Sequence, residues 1–164
     1  MKEESEQAYR KALFILERRD YTETELQIKL REKEYTEESI SFAIAKLKEY
    51  GLVDDRRFTE QYLRYHYEAY SRRVLSVKLL RKGITAELFD SVYQEIVAET
   101  EKYPEEEALK KAVRAAIRKA ERKGYLVEAL PPEEKRRIMS SLYRKGFSVR
   151  QINEELSKIT VSDY

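Results

Sequence analysis

Side chains that commonly serve in catalysis are scarce in this sequence and poorly grouped. The chain of 164 residues has no cysteine, which excludes disulfides, thiol catalysis and thiolate metal sites. Its single histidine, His66, stands between two tyrosines, as an ordinary helical surface or packing residue would. The pair Asp54–Asp55 could serve acid–base or metal chemistry, but a helix N-cap followed by an acid in the first turn is the commoner use of such a pair. We therefore predict no catalytic site, no metal and no cofactor.

Positive charge is concentrated at related places along the chain. No acidic residue occurs from Ala69 to Ala86, and a second basic cluster follows Pro132. The predicted partner-binding residues of the two clusters are Arg72, Arg73, Lys78, Arg81, Lys82, Lys135, Arg136, Arg137, Arg144, Lys145 and Arg150. Further cations between Lys110 and Lys123 precede the second cluster.

Two interpretations of these clusters are open. A solvated helix face with cations at helix C-termini would contain the same residues, and Lys82 and Lys145 fit it well. The two clusters nevertheless recur at equivalent places in the chain. We therefore favour an interaction surface for an acidic protein groove or a nucleic-acid backbone, without sequence selectivity.

One sequence pattern, typical of a tight turn between two helices, occurs three times in the chain, and the predicted helices are arranged around these turns. In Leu-Leu-Arg-Lys-Gly-Ile-Thr at 79–85, Gly83 can adopt the left-handed conformation that ends a helix, and the threonine can cap the next one. The pattern returns at 142–148 and, with Glu34 replacing glycine, at 30–36. Because a left-handed Glu34 would cost roughly 1 kcal/mol, we expect the first turn to close in another way.

Apolar periodicity between the turns predicts helices and no strands. Capping boxes at Thr22–Glu25 and Ser148–Gln151 mark two of the helix starts. One middle helix has side chains at the spacing of a buried stripe, namely Phe58, Tyr62, Tyr65 and Ala69. We expect Tyr62, Tyr65 and Tyr93 to lie in the core with their hydroxyl groups reaching water.

These elements predict an all-α fold of nine helices, arranged as three tandem three-helix repeats at 5–52, 53–98 and 104–159. The acidic stretch from Glu99 to Glu107, which holds Pro104, is the predicted boundary before the third repeat. A unit of about 45 residues buries little surface alone, so neighbouring repeats should pack on one another. The expected result is an elongated array that can curve and flex at its joints.

Composition narrows the class of protein. Charged residues make up 39% and hydrophobic residues 41%, a balance typical of helices with one apolar stripe and a charged outer face. The net charge is only +2, so a nucleic-acid partner could be argued only from local clusters. The acidic start is unlike a signal peptide, and no apolar run approaches the roughly 20 residues that span a bilayer. We expect a cytoplasmic protein with no membrane association and, since no heptad run occurs, a monomer.

Helices joined by tight turns also suggest a DNA-binding helix-turn-helix protein. The helix after the second turn would then be the recognition helix, yet residues 86–99 contain Glu87, Asp90 and Glu95 and no cation. A DNA duplex would repel this helix, which disfavours major-groove recognition. A helix-turn-helix protein and a general helical adaptor for an acidic partner remain the alternatives.

Two strings of residues resemble the RecX family of bacterial recombination regulators. They are Gly-Leu-Val-Asp-Asp-Arg-Arg-Phe at 51–58 and Leu-Leu-Arg-Lys-Gly-Ile at 79–84. Glu25-Leu26 before Lys29-Leu30, and Arg-Lys-Gly-Phe at 144–147, add to the likeness, which extends from Ala8 to Leu156. The chain departs from the family at Glu34, where glycine is usual, and at Ser71, where a glycine turn often lies.

The resemblance implies three tandem three-helix repeats that bind the RecA recombinase–DNA filament within its helical groove. It implies a regulator without enzymatic activity that modulates, and usually inhibits, filament growth, ATP hydrolysis and strand exchange. Homologous recombination, DNA repair and the SOS response would be affected in turn. Non-specific contact with single- or double-stranded DNA is compatible with this role, and the eleven partner-binding residues remain our own charge-based prediction.

Overall fold

The computed structural model describes residues 2–100 and 104–161, so residues 101–103 of the predicted acidic boundary lie outside the described part. Within the described residues there are nine α-helices, a short 3₁₀ turn at Val127–Ala129 and no strand. The helices are α1 Lys2–Leu16, α2 Glu23–Arg31, α3 Glu37–Glu49, α4 Asp55–His66, α5 Arg72–Leu80, α6 Ala86–Thr100, α7 Pro104–Arg122, α8 Pro132–Arg144 and α9 Val149–Val161. This confirms the predicted all-α fold. None of these helices is long and apolar enough to cross a membrane.

Hydrogen bonds at the helix starts follow the capping pattern of the sequence. Thr22 Oγ1 accepts from the Glu25 N–H at 3.1 Å, and a Glu25 carboxylate oxygen accepts from the Thr22 N–H at 3.2 Å. Ser148 and Gln151 make the same reciprocal pair before α9, at 3.2 and 2.9 Å. Single side-chain caps are provided by Thr36, Asp54 and Thr85. Each of these bonds satisfies a backbone donor that the helix itself leaves unpaired.

The three repeated turns all close through a left-handed residue. Gly83 has a φ of 85° and Gly146 a φ of 95°, as predicted, and Glu34 takes the same conformation with a φ of 62°. The expectation of another closure at Glu34 is therefore wrong. The Tyr35 N–H still donates to the Leu30 carbonyl at 3.4 Å, and the Tyr35 ring packs against the neighbouring core. Partial burial of this ring contributes favourably against the roughly 1 kcal/mol of backbone strain at Glu34.

The chain divides into two compact units. The first consists of Met1–Tyr62 and Lys78–Tyr93, and the second of Leu63–Val77 and Gln94–Tyr164. Helix α5 therefore contributes residues 72–77 to the second unit and residues 78–80 to the first. The predicted repeats at 5–52, 53–98 and 104–159 rest on sequence repetition, a different criterion, and that division stays a prediction.

Each unit has its own apolar core. In the first unit Ala8 and Ala12 of α1 are fully buried, and their small side chains let α3 approach closely. The core of this unit contains Ala8, Ala12, Leu26, Leu30, Ile40, Ala43, Ile44, Leu47 and Val53. The core of the second unit, on α7, α8 and α9 and their connections, contains Ala108, Leu109, Ala112, Val113, Ile117, Ala120, Leu130, Ile138, Leu142, Phe147 and Ile152.

The buried face of α4 differs from the predicted stripe. Tyr65 is 83% exposed, whereas Leu63 is fully buried and Thr59 is buried beside it along the helix. Thr59 Oγ1 donates to the Asp55 carbonyl at 2.7 Å, so its hydroxyl group is satisfied inside the core. The prediction that Tyr65 lies in the core is wrong. Thr59 and Leu63 have the same four-residue spacing as Phe58 and Tyr62, and spacing alone did not show which side of α4 faces the core. Tyr93 is buried, as expected.

In the first unit, the turn after α5 packs against the start of α2. Thr22 Oγ1 donates to the Lys82 carbonyl at 2.5 Å. A Cβ added at Gly83 would lie 2.8 Å from Thr24 Cγ2 and closer still to the Thr24 Cβ and Oγ1 atoms. This glycine is therefore required both for its backbone conformation and for the space it leaves.

The second unit contains an equivalent joint between the turn after α8 and the start of α5. The Ser71 N–H donates to the Lys145 carbonyl at 2.9 Å. A Cβ at Gly146 would overlap Ser71 and lie 2.5 Å from Val74 Cγ2. Lys82 and Lys145 precede equivalent glycines. In both joints the carbonyl of this lysine accepts a hydrogen bond from the residue at the start of another helix.

Candidate partner-binding surface

The predicted partner-binding residues are divided between the two units. Lys78, Arg81 and Lys82 belong to the first unit. The other eight belong to the second unit, namely Arg72, Arg73, Lys135, Arg136, Arg137, Arg144, Lys145 and Arg150. All of these residues lie at least partly at the surface.

Lys82 has a structural contact inside the first unit. Its Nζ donates to a Glu25 carboxylate oxygen at 2.7 Å, and Arg19 approaches the same carboxylate at 3.5 Å. Partial burial raises the pKa of Glu25, but hydrogen bonds from Lys82 and the Thr22 N–H outweigh it and leave that pKa below its usual range. The side chain of Lys82 is only 27% exposed. Lys82 therefore stabilises the first joint and offers little free charge to a partner.

Three of the predicted cations in the second unit meet at one groove. We call it the α7–α8 groove; it has a volume of about 350 Å³ and is floored by alanine side chains of α7 and by Ile138 and Leu142 of α8. Its cationic lining residues are Lys119, Lys123, Arg137, Arg144 and Lys145. Lys135, Arg136 and Arg150 do not line it. Arg136 Nε donates to the carbonyl of Pro132 in its own helix, and Arg150 pairs with Glu154 at 2.8 Å.

A buried carboxylate orients two of the groove's cations. Glu134 is buried, and it accepts hydrogen bonds from Lys123 Nζ at 2.7 Å and Arg137 Nη1 at 3.4 Å. The Lys123 bond is the main cause of a lowered pKa of Glu134, so this carboxyl group is ionised at neutral pH. Within the described residues, Lys119, Arg144 and Lys145 have no such carboxylate, and their charge remains available to a partner.

The basic surface continues along α7 towards its N-terminal half. A second depression is lined by Arg64, Tyr65, Glu68, Lys111 and Lys145, so that Lys145 borders both this depression and the α7–α8 groove. Lys111 pairs with Glu68, a bond that raises the pKa of Lys111. Because the exposed Tyr65 ring lies at the edge of this surface, cations and an aromatic side chain occur together.

Sequence reasoning missed the importance of α7. Lys119 and Lys123 are absent from the predicted set, although they provide two of the five cations of the groove. Their signal was present in the sequence, since the cations between Lys110 and Lys123 recur every three or four residues, as on one broad face of a helix. The sequence did not show that α8 would lie beside this face.

The residues considered for catalysis have structural contacts. Asp54 caps α4, and Asp55 Oδ1 accepts from the Glu23 N–H at 2.8 Å, which ties the start of α4 to the start of α2. Burial raises the pKa of Asp55. The His66 ring contacts Tyr65 with its centroid 4.8 Å away and Tyr70 with its centroid 6.1 Å away. No group of three or more metal-ligand side chains occurs in the part of the chain that the structure describes.

Comparisons with known proteins specify the class to which this helical chain belongs. The model of the first three-helix domain of RecX matches residues 8–47. The regulatory protein RecX of Clostridium acetobutylicum is 33% identical over 152 residues, which cover 91% of this chain and 67% of the relative. RecX of Mycobacterium sp. strain JLS is 32% identical over 148 residues, with 87% and 76% covered.

Solved structures show the same fold. RecX from Lactobacillus salivarius has a TM-score of 0.72 at 23% identity and covers 98% of this chain, with 99% of its own chain covered. A second regulatory protein RecX has a TM-score of 0.67 at 22% identity, with 92% of this chain and 72% of the other covered. The class is that of helical regulatory proteins. The chain belongs to the RecX family, which confirms the resemblance noted in the sequence.

Proposed function

We propose that this protein binds the RecA recombinase–DNA filament and inhibits its ATP hydrolysis and strand exchange, without catalysing a reaction itself. Recombination, DNA repair and the SOS response would be affected through the filament. The observation that carries the proposal is the α7–α8 groove in a chain whose relatives are named regulatory proteins. We further expect the protein to act in the cytoplasm as a monomer.

The chemistry of the groove suits an anionic partner. Lys119, Arg144 and Lys145 stand around an apolar floor without carboxylates of their own in the described structure. Removing water from these cations when a partner binds costs free energy, and only fixed negative charge on the partner can offset that cost. An acidic protein groove or a phosphate backbone provides such charge. A filament of protein on DNA offers both.

The proposed contact residues are the predicted cations together with Lys119 and Lys123. The predicted cations are Arg72, Arg73, Lys78, Arg81, Lys82, Lys135, Arg136, Arg137, Arg144, Lys145 and Arg150. Among them Lys82 should contribute least to binding, because Glu25 holds its charge. Their arrangement along several helices supports backbone or surface contact rather than base recognition. Contact with single- or double-stranded DNA in the filament would accordingly be non-specific.

The structure gives no support to recognition of the major groove by α6. Glu87, Asp90 and Glu95 are exposed along this helix, which carries no cation. Placed in a duplex groove, these carboxylates would face phosphates at short range and weaken binding. The filament regulator is therefore the function that we favour over a helix-turn-helix reader.

The proposal is tested by adding the protein to preformed RecA filaments on single-stranded DNA and following ATP turnover. Wild-type protein should lower the turnover, and the double variant Lys119→Glu/Arg144→Glu should inhibit at least about 10-fold less well, since it reverses two groove charges. A matched control, Lys2→Glu/Arg10→Glu, makes the same change in net charge on α1 and should inhibit normally. Equal inhibition by all three proteins would show that the groove is not the contact surface.

A further inference from the structure

The two ends of the α7–α8 groove differ in the charge that they offer to a ligand. At the end where α7 leads into α8, Glu134 already accepts hydrogen bonds from Lys123 at 2.7 Å and from Arg137 at 3.4 Å. Arg144 and Lys145 lie at the C-terminus of α8, about 15 Å further along the helix. Within the described residues, neither of these two cations is paired with a carboxylate. The positive charge that a ligand can use is therefore concentrated at this second end.

The floor of the groove is apolar and partly open. Ala112, Ile138 and Leu142 are buried beneath it, whereas Ala115 is exposed and Ala116 is half-buried. Because these last two side chains are single methyl groups, they leave room above them for an apolar group of a ligand. The volume of about 350 Å³ lies near the lower limit of small-ligand sites, which span about 300–1,000 Å³. The groove therefore has room for one or two side chains of a partner and not for a whole helix.

The lining favours a protein segment over a nucleic acid. Among the described residues that line the groove there is no aromatic side chain, and an unpaired base gains much of its affinity by stacking on one. The sugar–phosphate backbone has no aliphatic group to cover the floor, and at the first end it would approach the ionised Glu134. A peptide can place an aliphatic side chain on the floor and its carboxylates beside the cations.

We propose that the α7–α8 groove holds an acidic protein segment through one aliphatic anchor side chain. The anchor packs on Ala115 and Ala116. Carboxylates next to the anchor pair with Lys119 on α7 and with Arg144 and Lys145 at the second end. Burial of the anchor supplies most of the affinity, and the ion pairs select acidic segments. The inference rests on the proposed function, because it names the part of a partner that the same groove contacts.

The anchor is tested by fluorescence anisotropy with two labelled peptides, in the absence of any recombinase. One peptide contains Glu-Asp-Leu-Asp-Glu between glycines, and the other has serine in place of leucine, so both carry the same charge. The leucine peptide should bind about 10-fold more tightly, since only this peptide buries an aliphatic side chain. Equal affinities for the two peptides, or no binding of the leucine peptide, would overturn the proposal.

The position of the anchor is tested by changing the floor. Ala115→Gln covers the floor with a neutral polar side chain, and because Ala115 is exposed the variant should fold as the wild type does. The preference for the leucine peptide should fall below about 3-fold in this variant. The control Ala45→Gln makes the same change at an exposed position of α3 and should keep the full preference. A full preference in Ala115→Gln would show that the leucine packs elsewhere, and the proposal would be wrong.

The ion pairs are tested with Lys119→Gln/Arg144→Gln, which removes two cations of the groove. This variant should bind both peptides about 10-fold more weakly and should keep its preference for leucine. The control Lys2→Gln/Arg10→Gln makes the same change in net charge at exposed positions of α1 and should bind as the wild type does. An equal loss in both variants would mean that only the net charge of the protein matters, which contradicts the proposal.

Competition distinguishes a peptide site from a phosphate site. Unlabelled leucine peptide should displace the labelled leucine peptide at a lower concentration than unlabelled oligothymidine does, and the reverse order would refute the proposal. ATP turnover by RecA filaments separates this inference from the proposed function. A protein that inhibits turnover but does not bind the leucine peptide refutes this inference alone. A protein that binds the leucine peptide as described and does not inhibit turnover refutes the proposed function and supports the peptide site.

Discussion

Replacing Gly83 by alanine is expected to destabilise the protein far more than replacing Gly51 by alanine. Both glycines have left-handed backbones, with φ values of 85° and 65°, so both variants incur a similar strain of about 1 kcal/mol. A Cβ at Gly51 meets nothing within 4 Å, whereas a Cβ at Gly83 overlaps Thr24. The two substitutions therefore share the backbone strain, and only Gly83→Ala adds a steric clash.

The difference can be worked from the contacts of the first joint. Forcing a methyl group against Thr24 adds about 1–3 kcal/mol, the usual range for overpacking. Moving the turn away to relieve it breaks the hydrogen bond from Thr22 to the Lys82 carbonyl, which is worth about 1 kcal/mol. Because the protein takes whichever of these two responses costs less, Gly83→Ala should lower the free energy of unfolding by about 1–3 kcal/mol more than Gly51→Ala, a large part of the stability of a small protein.

Urea unfolding followed by far-UV circular dichroism measures this difference directly. A double-mutant cycle sharpens it: Thr24→Gly removes the atoms that a Cβ at residue 83 would meet, so it should recover most of the loss in Gly83→Ala beyond its own cost. Equal destabilisation by Gly83→Ala and Gly51→Ala would refute the account of the joint. A cycle without coupling between positions 24 and 83 would do the same.

Two further predictions concern α4 and the first joint. Leu63→Ala should lower the free energy of unfolding by about 2–5 kcal/mol, because this side chain is fully buried. Tyr65→Ala should lower it by less than about 0.5 kcal/mol, because Tyr65 is 83% exposed. If urea unfolding shows Tyr65→Ala to be the less stable variant, the aromatic stripe is the buried face of α4 after all. Glu25 has a lowered pKa in the folded protein, so its ion pair with Lys82 contributes stability that is complete above the unfolded pKa of about 4.3 and is lost as the pH falls through the folded value. Glu25→Gln should therefore be less stable than wild type near neutral pH, with a gap that narrows on acidification; a gap independent of pH would contradict this assignment.

Local features of the fold could be predicted from the sequence because they depend on neighbouring residues. The capping boxes at Thr22 and Ser148 and the left-handed Gly83 and Gly146 each involve groups within a few positions of one another. Periodicity was less reliable where two faces of one helix carried suitable side chains. On α4 the aromatic spacing pointed to Tyr65, and Leu63 was overlooked.

Features that join distant parts of the chain could not be read from the sequence. The Thr22 hydroxyl and the Lys82 carbonyl are 60 positions apart, and neither residue type signals the other. The same holds for the α7–α8 groove, where Lys119 and Lys123 meet Arg144 only because two helices pack side by side. Charge counting located the cations but could not distinguish Lys82, which is held by Glu25, from Arg144.

The two joints also explain why glycine is replaced at one of the three turns. A joint has two halves: a turn with no side chain at its left-handed residue, and a helix start with Thr22 or Ser71. At the first turn Glu34 is exposed. Thr22 and Ser71 stand four residues before the buried Leu26 and Leu75, and the residue four before the buried Ile138 of α8 is Glu134, already bound by Lys123. Another copy of the repeat would find a carboxylate-bearing side chain at both places. Glu34 and Glu134 thus stand where the two joints have a glycine and a small hydroxyl-bearing side chain.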